Sequence, residues 1–436
     1  MSPHFRRGSR LARQAPREND PSGQRRWYKT LGPGLITGAA DDDPSGVGTY
    51  SQVGAQFGYG LGWTLVFGFP LLVSIQAICA QIGATTGKGI ARNLRHHYPP
   101  GLLRIVVILL VVANVINIGA DLGAMAASLA LLLPGPAMIY VIGFGVLSVV
   151  LEIWLSYDRY SAILKWTTLS LFAYVAVVFV ADVPLAEALR GIAVPSFSFG
   201  REQAMALVAI FGTTISPYLF FWQAGQEVEE QHRRHVKPLM VSPHRVAGAE
   251  LARIRTDTLV GMAFSHITAL FIVVATAATL HANGVTHVGS AAQAAEALRP
   301  VAGDLAFALF ALGIIGTGLL AVPILAGSAA YAVSEAFGWV EGLDRKPREA
   351  KAFYAVIALA TAGGIALNLL AVDPMKALYW AAVVNGLLAP PLMVVTMLIA
   401  RNPRVMRKLV ISPRLAIGGW VSTAVMTGVA AIFLLS

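Results

Sequence analysis

Two short stretches carry polar chemistry where a helix in lipid should have none. One runs Gly32-Pro33-Gly34 and then Asp41-Asp42-Asp43-Pro44-Ser45-Gly46-Val47-Gly48; the other runs Phe211-Gly212-Thr213-Thr214-Ile215-Ser216-Pro217-Tyr218. Pro44 and Pro217 each remove a backbone donor and clash with the preceding turn. The residue before each is pushed out of the helical region, and nearby glycines lower the cost of unwinding. An aspartate at the bilayer centre costs about 2.5–3.5 kcal/mol even on the lenient insertion scale, so three in a row require a role. At about 100° per residue the three cannot share one helix face. Asp43 immediately precedes the proline, where the helix opens. Carbonyls freed around residues 40–43 and 212–216 lose their helical partners, and a helix C-terminus is the negative end of its dipole. Carboxylate, free carbonyls and dipole together suit a cation. Oxygen ligands suit a hard divalent ion such as Mg²⁺, Mn²⁺ or Ca²⁺, and a monovalent ion is compatible with the same set.

The elements that hold these stretches read as membrane spans. Apolar residues make up 56% of the 436-residue chain and charged residues 13%, against about 25% charge in a soluble protein, so a soluble multidomain enzyme is excluded. Eleven apolar runs reach the roughly 20 residues that a spanning helix needs: 31–57, 59–84, 102–131, 134–154, 158–181, 202–230, 253–281, 303–337, 350–371, 374–400 and 413–435. Their length and uniform apolarity fit helices rather than barrel strands, which predicts an all-α polytopic membrane protein. Residues 1–30 hold eight basic residues and no signal-peptide core, and read as a cytoplasmic tail. With the N-terminus inside, the outer segments contain only Arg190, Arg201, Arg299 and Lys376 of the 33 basic residues. That bias predicts a multi-pass protein of the cell (plasma or inner) membrane with a cytoplasmic N-terminus. It also excludes nucleic acid as the partner of the net +10 charge, because the basic residues lie in loops beside the inner leaflet. The breaks fall mid-span in the first and sixth runs. Paired interrupted helices in corresponding positions of two halves point to an inverted-repeat transporter site. Two five-helix repeats of opposite orientation, 31–181 and 202–400, therefore form a core over 31–400, with an eleventh helix at 413–435 appended.

The stretch Asp43-Pro44-Ser45-Gly46-Val47-Gly48-Thr49-Tyr50-Ser51-Gln52-Val53-Gly54-Ala55-Gln56-Phe57-Gly58-Tyr59-Gly60, with the preceding Gly32-Pro33-Gly34, resembles the first span of the Nramp divalent metal transporters. Gly212-Thr213-Thr214-Ile215-Ser216-Pro217 sits where that family has its second broken helix. The likeness runs through spans 1–10 and implies a LeuT-type fold and import of divalent metal. Carried over by residue, it puts the metal carboxylate on Asp43, the carbonyl ligand on Thr213, the thioether position on Ser216 and the amide position on Gly46. The family's Asp-Pro-Gly-Asn and Met-Pro-His are thus Asp43-Pro44-Ser45-Gly46 and Ser216-Pro217-Tyr218 here. Losing a soft sulfur removes a preference for transition metals. Losing the amide leaves room for water, which Mg²⁺ tends to retain. The chain is therefore more similar to the Nramp-related magnesium transporter branch, with Mg²⁺ and/or Mn²⁺ as substrate. The family's span 6 histidine is Tyr218, and span 3 keeps Asp121 but has Ala124 in place of a glutamate. A tyrosine, with an ordinary pKa of about 10, does not titrate near neutrality. Proton coupling is accordingly expected to be weak or absent, against the alternative of a proton-coupled Mn²⁺/Fe²⁺ symporter.

Other residues extend the expected pathway. Asp42, Asp121, Gln223, Gln226 and Asn385 are candidates for its lining, Asn385 equally for helix packing. Glu227, Glu229 and Glu230 are expected to end span 6 paired with Arg233 and Arg234, and His266 to make an interhelical hydrogen bond. Gly316, Gly318 and Gly327 signal close packing in span 8, and residues 288–300 an amphipathic segment lying on the outer surface. A single cysteine, Cys79, excludes an intrachain disulfide framework. No phosphate-binding Gly-x-x-x-x-Gly-Lys-Ser/Thr loop is present, so an ATP-driven pump is not expected. No cofactor or obligatory protein partner is implied; the expected partners are the metal ion and the bilayer. Two readings of other classes fare worse. An intramembrane aspartyl protease on Asp43 and Asp121 lacks that class's motifs and leaves the proline breaks unexplained. A sodium-coupled organic solute symporter would set an acidic cluster against its substrate's carboxylate.

Overall fold

The computed structural model describes residues 32–154, 171–196 and 200–436. The basic tail and the first part of the fifth run lie outside the described residues. All regular elements among the described residues are helical. The first run is two helices, α1 (Pro33–Asp41) and α2 (Pro44–Phe57). Then follow α3 (Trp63–Thr86), α4 (Pro100–Ala130), α5 (Ala137–Trp154) and α6 (Phe172–Val180). The sixth run is again two helices, α7 (Arg201–Thr214) and α8 (Pro217–Arg233). The remainder are α9 (His244–Thr279), α10 (Ala306–Phe337), α11 (Lys351–Leu367), α12 (Pro374–Ala400) and α13 (Pro413–Leu435).

Among the described residues nine stretches are long and apolar enough to cross a membrane, the α7–α8 pair counting as one. The two remaining sequence-predicted spans are accounted for. The first carries three consecutive aspartates, Asp41–Asp43, more charge than the apolar part of any counted stretch holds, and the fifth is only partly described. Proline opens α2, α8, α12 and α13 at the first helical position, where its missing donor costs nothing.

The broken helices sit at the centre. In α7–α8, 94% of the most apolar stretch is buried, against 22% in α5, so α5 lies at the lipid-facing perimeter. Glycines set how closely the half-helices approach their neighbours. A Cβ on Gly38 of α1 would stand 2.7 Å from the Gly261 Cα of α9, and one on Gly212 of α7 would stand 2.8 Å from the Gly386 Cα of α12. Each half-helix thus lies backbone to backbone on a long intact helix. Gly318 and Gly327 of α10 likewise admit Met125 and Trp222 side chains.

The segment 288–300 has two faces: Val288, Ala291, Ala294, Ala295, Ala297 and Leu298 are buried, while Gln293, Arg299 and Pro300 are exposed. The short helix Ala291–Glu296 packs against α10, because its alanine face is small enough to approach closely.

Candidate metal site and the family

The two proline breaks meet. Asp43 caps α2: its Oδ1 accepts from the Gly46 amide at 2.7 Å and from the Ser45 hydroxyl at 2.6 Å. This is the ordinary N-cap geometry, a side-chain oxygen satisfying amides of the first turn. The Tyr218 hydroxyl, from the first turn of α8, lies 3.2 Å from Asp43 Oδ2 and 3.1 Å from the Ala40 carbonyl. It therefore ties the second half-helix to both sides of the first break. Across the gap, Thr213 Oγ1 is 3.4 Å from Ser45 Oγ. A Cβ on Gly46 would stand 3.3 Å from the Asp41 carbonyl and 3.4 Å from Thr213 Oγ1, so position 46 faces the gap between the halves. The Ser216 hydroxyl donates back to the Gly212 and Thr213 carbonyls, at 3.0 and 2.8 Å, which leaves its lone pairs free. All of these residues are buried.

The other sequence-predicted residues divide. Asp121 of α4 is fully buried and lies beside the first break, where the Asp43 charge and the Ser45 backbone act on it. Asp42 turns away from the gap, toward Ser265 of α9 at 3.2 Å. Gln223 accepts from the Thr37 hydroxyl and so joins α8 to α1. Asn385 exchanges two hydrogen bonds with Asn117 of α4, at 2.9 and 3.1 Å, the packing role. Among the three glutamates ending α8, Glu230 forms ion pairs with Arg233 and Arg234, at 2.9 and 3.9 Å. Glu229 bonds the Tyr331 hydroxyl and the Leu343 amide, and Glu227 pairs with Arg253 of α9 at 2.6 Å.

Several residues were not singled out by sequence reasoning. Asp257 of α9 accepts from the amides of Gly32, Gly34 and Leu35 at 2.9, 2.7 and 3.2 Å, capping α1 from another helix. Arg253 stands one turn away, 3.8 Å from Asp257. Glu227, Arg253 and Asp257 therefore join α8, α9 and the first turn of α1 into one clasp. At the opposite end of the first span, a cavity of about 260 Å³ opens among Gln52, Gln56, Glu202, His287, Tyr379 and Trp380. Glu152, buried in α5, was also missed although a glutamate in an apolar run is itself a signal.

The family model for natural resistance-associated macrophage protein-like chains, Nramp, matches residues 34–436. The chain belongs to the Nramp family. A divalent metal cation transporter MntH of Klebsiella pneumoniae is 27% identical over 320 residues, 69% of this chain and 71% of that one. Among solved structures, the Eremococcus coleocola manganese transporter superposes with a TM-score of 0.74 at 17% identity, covering 95% of this chain and 88% of that chain. The nucleobase-cation symporter Mhp1 superposes with a TM-score of 0.53 at 15% identity, over 93% of this chain and 90% of its own. The fold is therefore the LeuT type, and this Nramp chain is a multi-pass membrane transporter, not an enzyme. The protease alternative falls with that.

Proposed function

We propose that this Nramp protein imports Mg²⁺ and/or Mn²⁺ into the cytoplasm by alternating access, with proton coupling weak or absent. The observation that carries the reading is the donor set at the meeting of the breaks. It consists of oxygens only: the Asp43 carboxylate, the Thr213 carbonyl and the Ser216 hydroxyl, beside the Tyr218 phenol that bridges the halves. Such a set favours hard divalent ions. The relatives support the ion class, one being named a divalent metal cation transporter and another a manganese transporter. Asp43, Thr213 and Ser216 hold the metal, Pro44 and Pro217 keep the helices open, and Asp121 and Tyr218 line the pathway. The core is two inverted repeats, 31–181 and 202–400, followed by α13. The N-terminus is cytoplasmic, so the clasp faces the cytoplasm and the cavity at Gln52 faces outside.

The test is uptake by the reconstituted protein of Mg²⁺, Mn²⁺, Ca²⁺ and Cd²⁺. Asp43→Ala should abolish transport of all four. Ser216→Met should restore a sulfur ligand and shift preference toward Cd²⁺ and Mn²⁺ over Mg²⁺ by about tenfold or more. Unchanged preference in that variant would remove Ser216 from the ligand set.

A further inference from the structure

We infer that the loop joining α12 to α13, with the segment 237–246 that leads into α9, is a docking surface for the headgroups of net-anionic glycerophospholipids. Six basic residues carry it: Lys237 and Arg245 on the segment, and Arg401, Arg404, Arg407 and Lys408 on the loop. All six are exposed. None forms an ion pair with a carboxylate of the described residues, whereas other arginines that the sequence places on the same side are paired, Arg92 with Glu341, Arg234 with Glu250 and Arg253 with Glu227. No aspartate or glutamate occurs between 231 and 249 or after 373, so neither stretch brings an acid of its own to neutralise this face.

The two stretches are held side by side. Leu409 packs against the buried cluster that contains Leu239, and the turns 239–241 and 407–409 are in contact. Gln81 of α3 donates to the Leu409 carbonyl at 3.0 Å. At the other end of the loop, the Asn402 side chain donates to the Tyr98 hydroxyl at 3.3 Å and accepts from the Arg404 amide at 2.9 Å. The backbone is thus fixed, while the basic heads are left to meet something outside the protein. Arg407 has a φ of 50°. That left-handed conformation is unfavourable for a residue with a side chain, yet here the side chain is exposed rather than packed.

Depth selects the partner. Leu398, one turn before Arg401, and Ile417, one turn after Pro413, are exposed apolar side chains of long apolar helices. The loop between them therefore sits where the lipid-facing surface ends, at the level of the headgroups. Val241 and Val246, 57% and 41% exposed, stand among the basic residues. Apolar tips beside unneutralised cations fit a boundary with acyl chains on one side and phosphates on the other. Lysine and arginine stems lie along the apolar layer while their heads reach the phosphates. A zwitterionic headgroup would bring its own cation against the six, so a headgroup with net negative charge is selected. An acidic protein segment would match the charge but not the place, beside lipid-exposed helix faces. The lipid preference stands without the metal assignment; only the leaflet, the cytoplasmic one, rests on the proposed orientation.

The experiment uses the full chain in neutral detergent micelles, titrated with phosphatidylglycerol or phosphatidylcholine and read by native mass spectrometry. The wild type should bind phosphatidylglycerol about tenfold more tightly than phosphatidylcholine. Phosphatidylglycerol should also raise the unfolding temperature more, since a ligand that binds only the folded state stabilises it. Arg404→Gln, Arg407→Gln and Lys408→Gln together should abolish most of the preference, and Arg404→Lys with Arg407→Lys should keep it. Lys237→Gln with Arg245→Gln should weaken it in the same direction and serves if the triple variant does not fold. Arg299→Gln with Lys376→Gln, which removes two charges from the other end of the helices, should leave it unchanged. Excess glycerol phosphate should not displace the lipid. Equal binding of both lipids by the wild type would overturn the inference, as would a preference that survives the glutamine variants. Displacement by glycerol phosphate would make the face a site for free anions, and binding of polyglutamate without any lipid preference would make it one for an acidic protein; either result overturns the lipid assignment. An intact lipid preference in a protein that fails to take up Mg²⁺ or Mn²⁺ would instead sink the proposed substrate and leave this surface standing.

Discussion

At the scale of single residues, the gap between the half-helices is held by few bonds, and Tyr218 makes two of its contacts. Its hydroxyl has one hydrogen to share between the Ala40 carbonyl and Asp43 Oδ2. In a buried site, an acceptor left without a donor costs about 1–3 kcal/mol. Tyr218→Phe should therefore lower the unfolding temperature of the metal-free protein. A bound divalent ion supplies the lost positive partner to Asp43, so saturating Mn²⁺ should recover most of that loss. Melting curves with and without Mn²⁺ check this, and an equal deficit in both conditions would show that the hydroxyl serves the helix junction alone. The backbone chemistry of this site was legible in the sequence, since proline beside glycine and aspartate within an apolar run has few other meanings. Ser265 and Asn117 were not legible. Each is an ordinary polar residue on its own helix and acquires its role only from a partner on another span.

At the scale of elements, the clasp decides how α1 is held. The helix has no side-chain cap of its own. Its first amides are satisfied by Asp257, more than two hundred residues away, and Asp257 is steadied by Arg253. On sequence, Arg253 and Asp257 look like an i,i+4 pair of a solvated helix face, which is why the sequence did not disclose the cap. Asp257→Ala removes three hydrogen bonds to a charged acceptor, a class worth about 1.5–3 kcal/mol each at most. The N-terminal end of α1 should then part from α9. Thr37, buried against Gln223, reports the event. With Cys79→Ser as background, a cysteine introduced by Thr37→Cys should react several-fold faster with a cytoplasmic thiol reagent once Asp257→Ala is added. An unchanged rate would mean that α1 is held by its glycine contacts with α9 instead. The loop after α10 makes a pH prediction. Glu341 pairs with Arg92 at 2.9 Å, yet burial and the neighbouring Glu335 outweigh that pairing and push its carboxyl up to about 8. The folded protein thus holds a proton there that the unfolded chain releases near its ordinary value of 4.5, so stability falls as pH rises between those limits. Glu341→Gln should flatten the decline of the unfolding temperature from pH 5 to pH 8.

At the scale of the whole molecule, the driving force must match the residues available to couple it. The position that carries a histidine in the resembled family holds Tyr218, and Ala124 replaces a carboxylate one turn from Asp121. Asp121 remains, fully buried, and none of the gap residues Asp43, Ser45, Thr213, Ser216 and Tyr218 carries an imidazole or a basic group. The architecture itself was readable: hydropathy gave the spans, and the paired breaks gave the symmetry. What hydropathy cannot give is which ion moves with the metal, because that depends on side chains converging from separate spans. Voltage alone suffices as a driving force. A divalent ion gains about 4.6 kcal/mol from 100 mV, twice the single-charge figure, which corresponds to roughly a thousandfold accumulation at equilibrium. Proteoliposomes with an inside-negative potassium diffusion potential and an internal pH dye should therefore accumulate Mn²⁺ without matching acidification, and collapsing the potential should stop uptake against a gradient. Acidification in fixed proportion to the metal taken up would instead make Asp121 a proton carrier and the protein a proton symporter. Tyr218→His places a group that titrates near neutrality beside Asp43, so a metal-dependent proton flux appearing only in that variant would locate the missing coupling at this position.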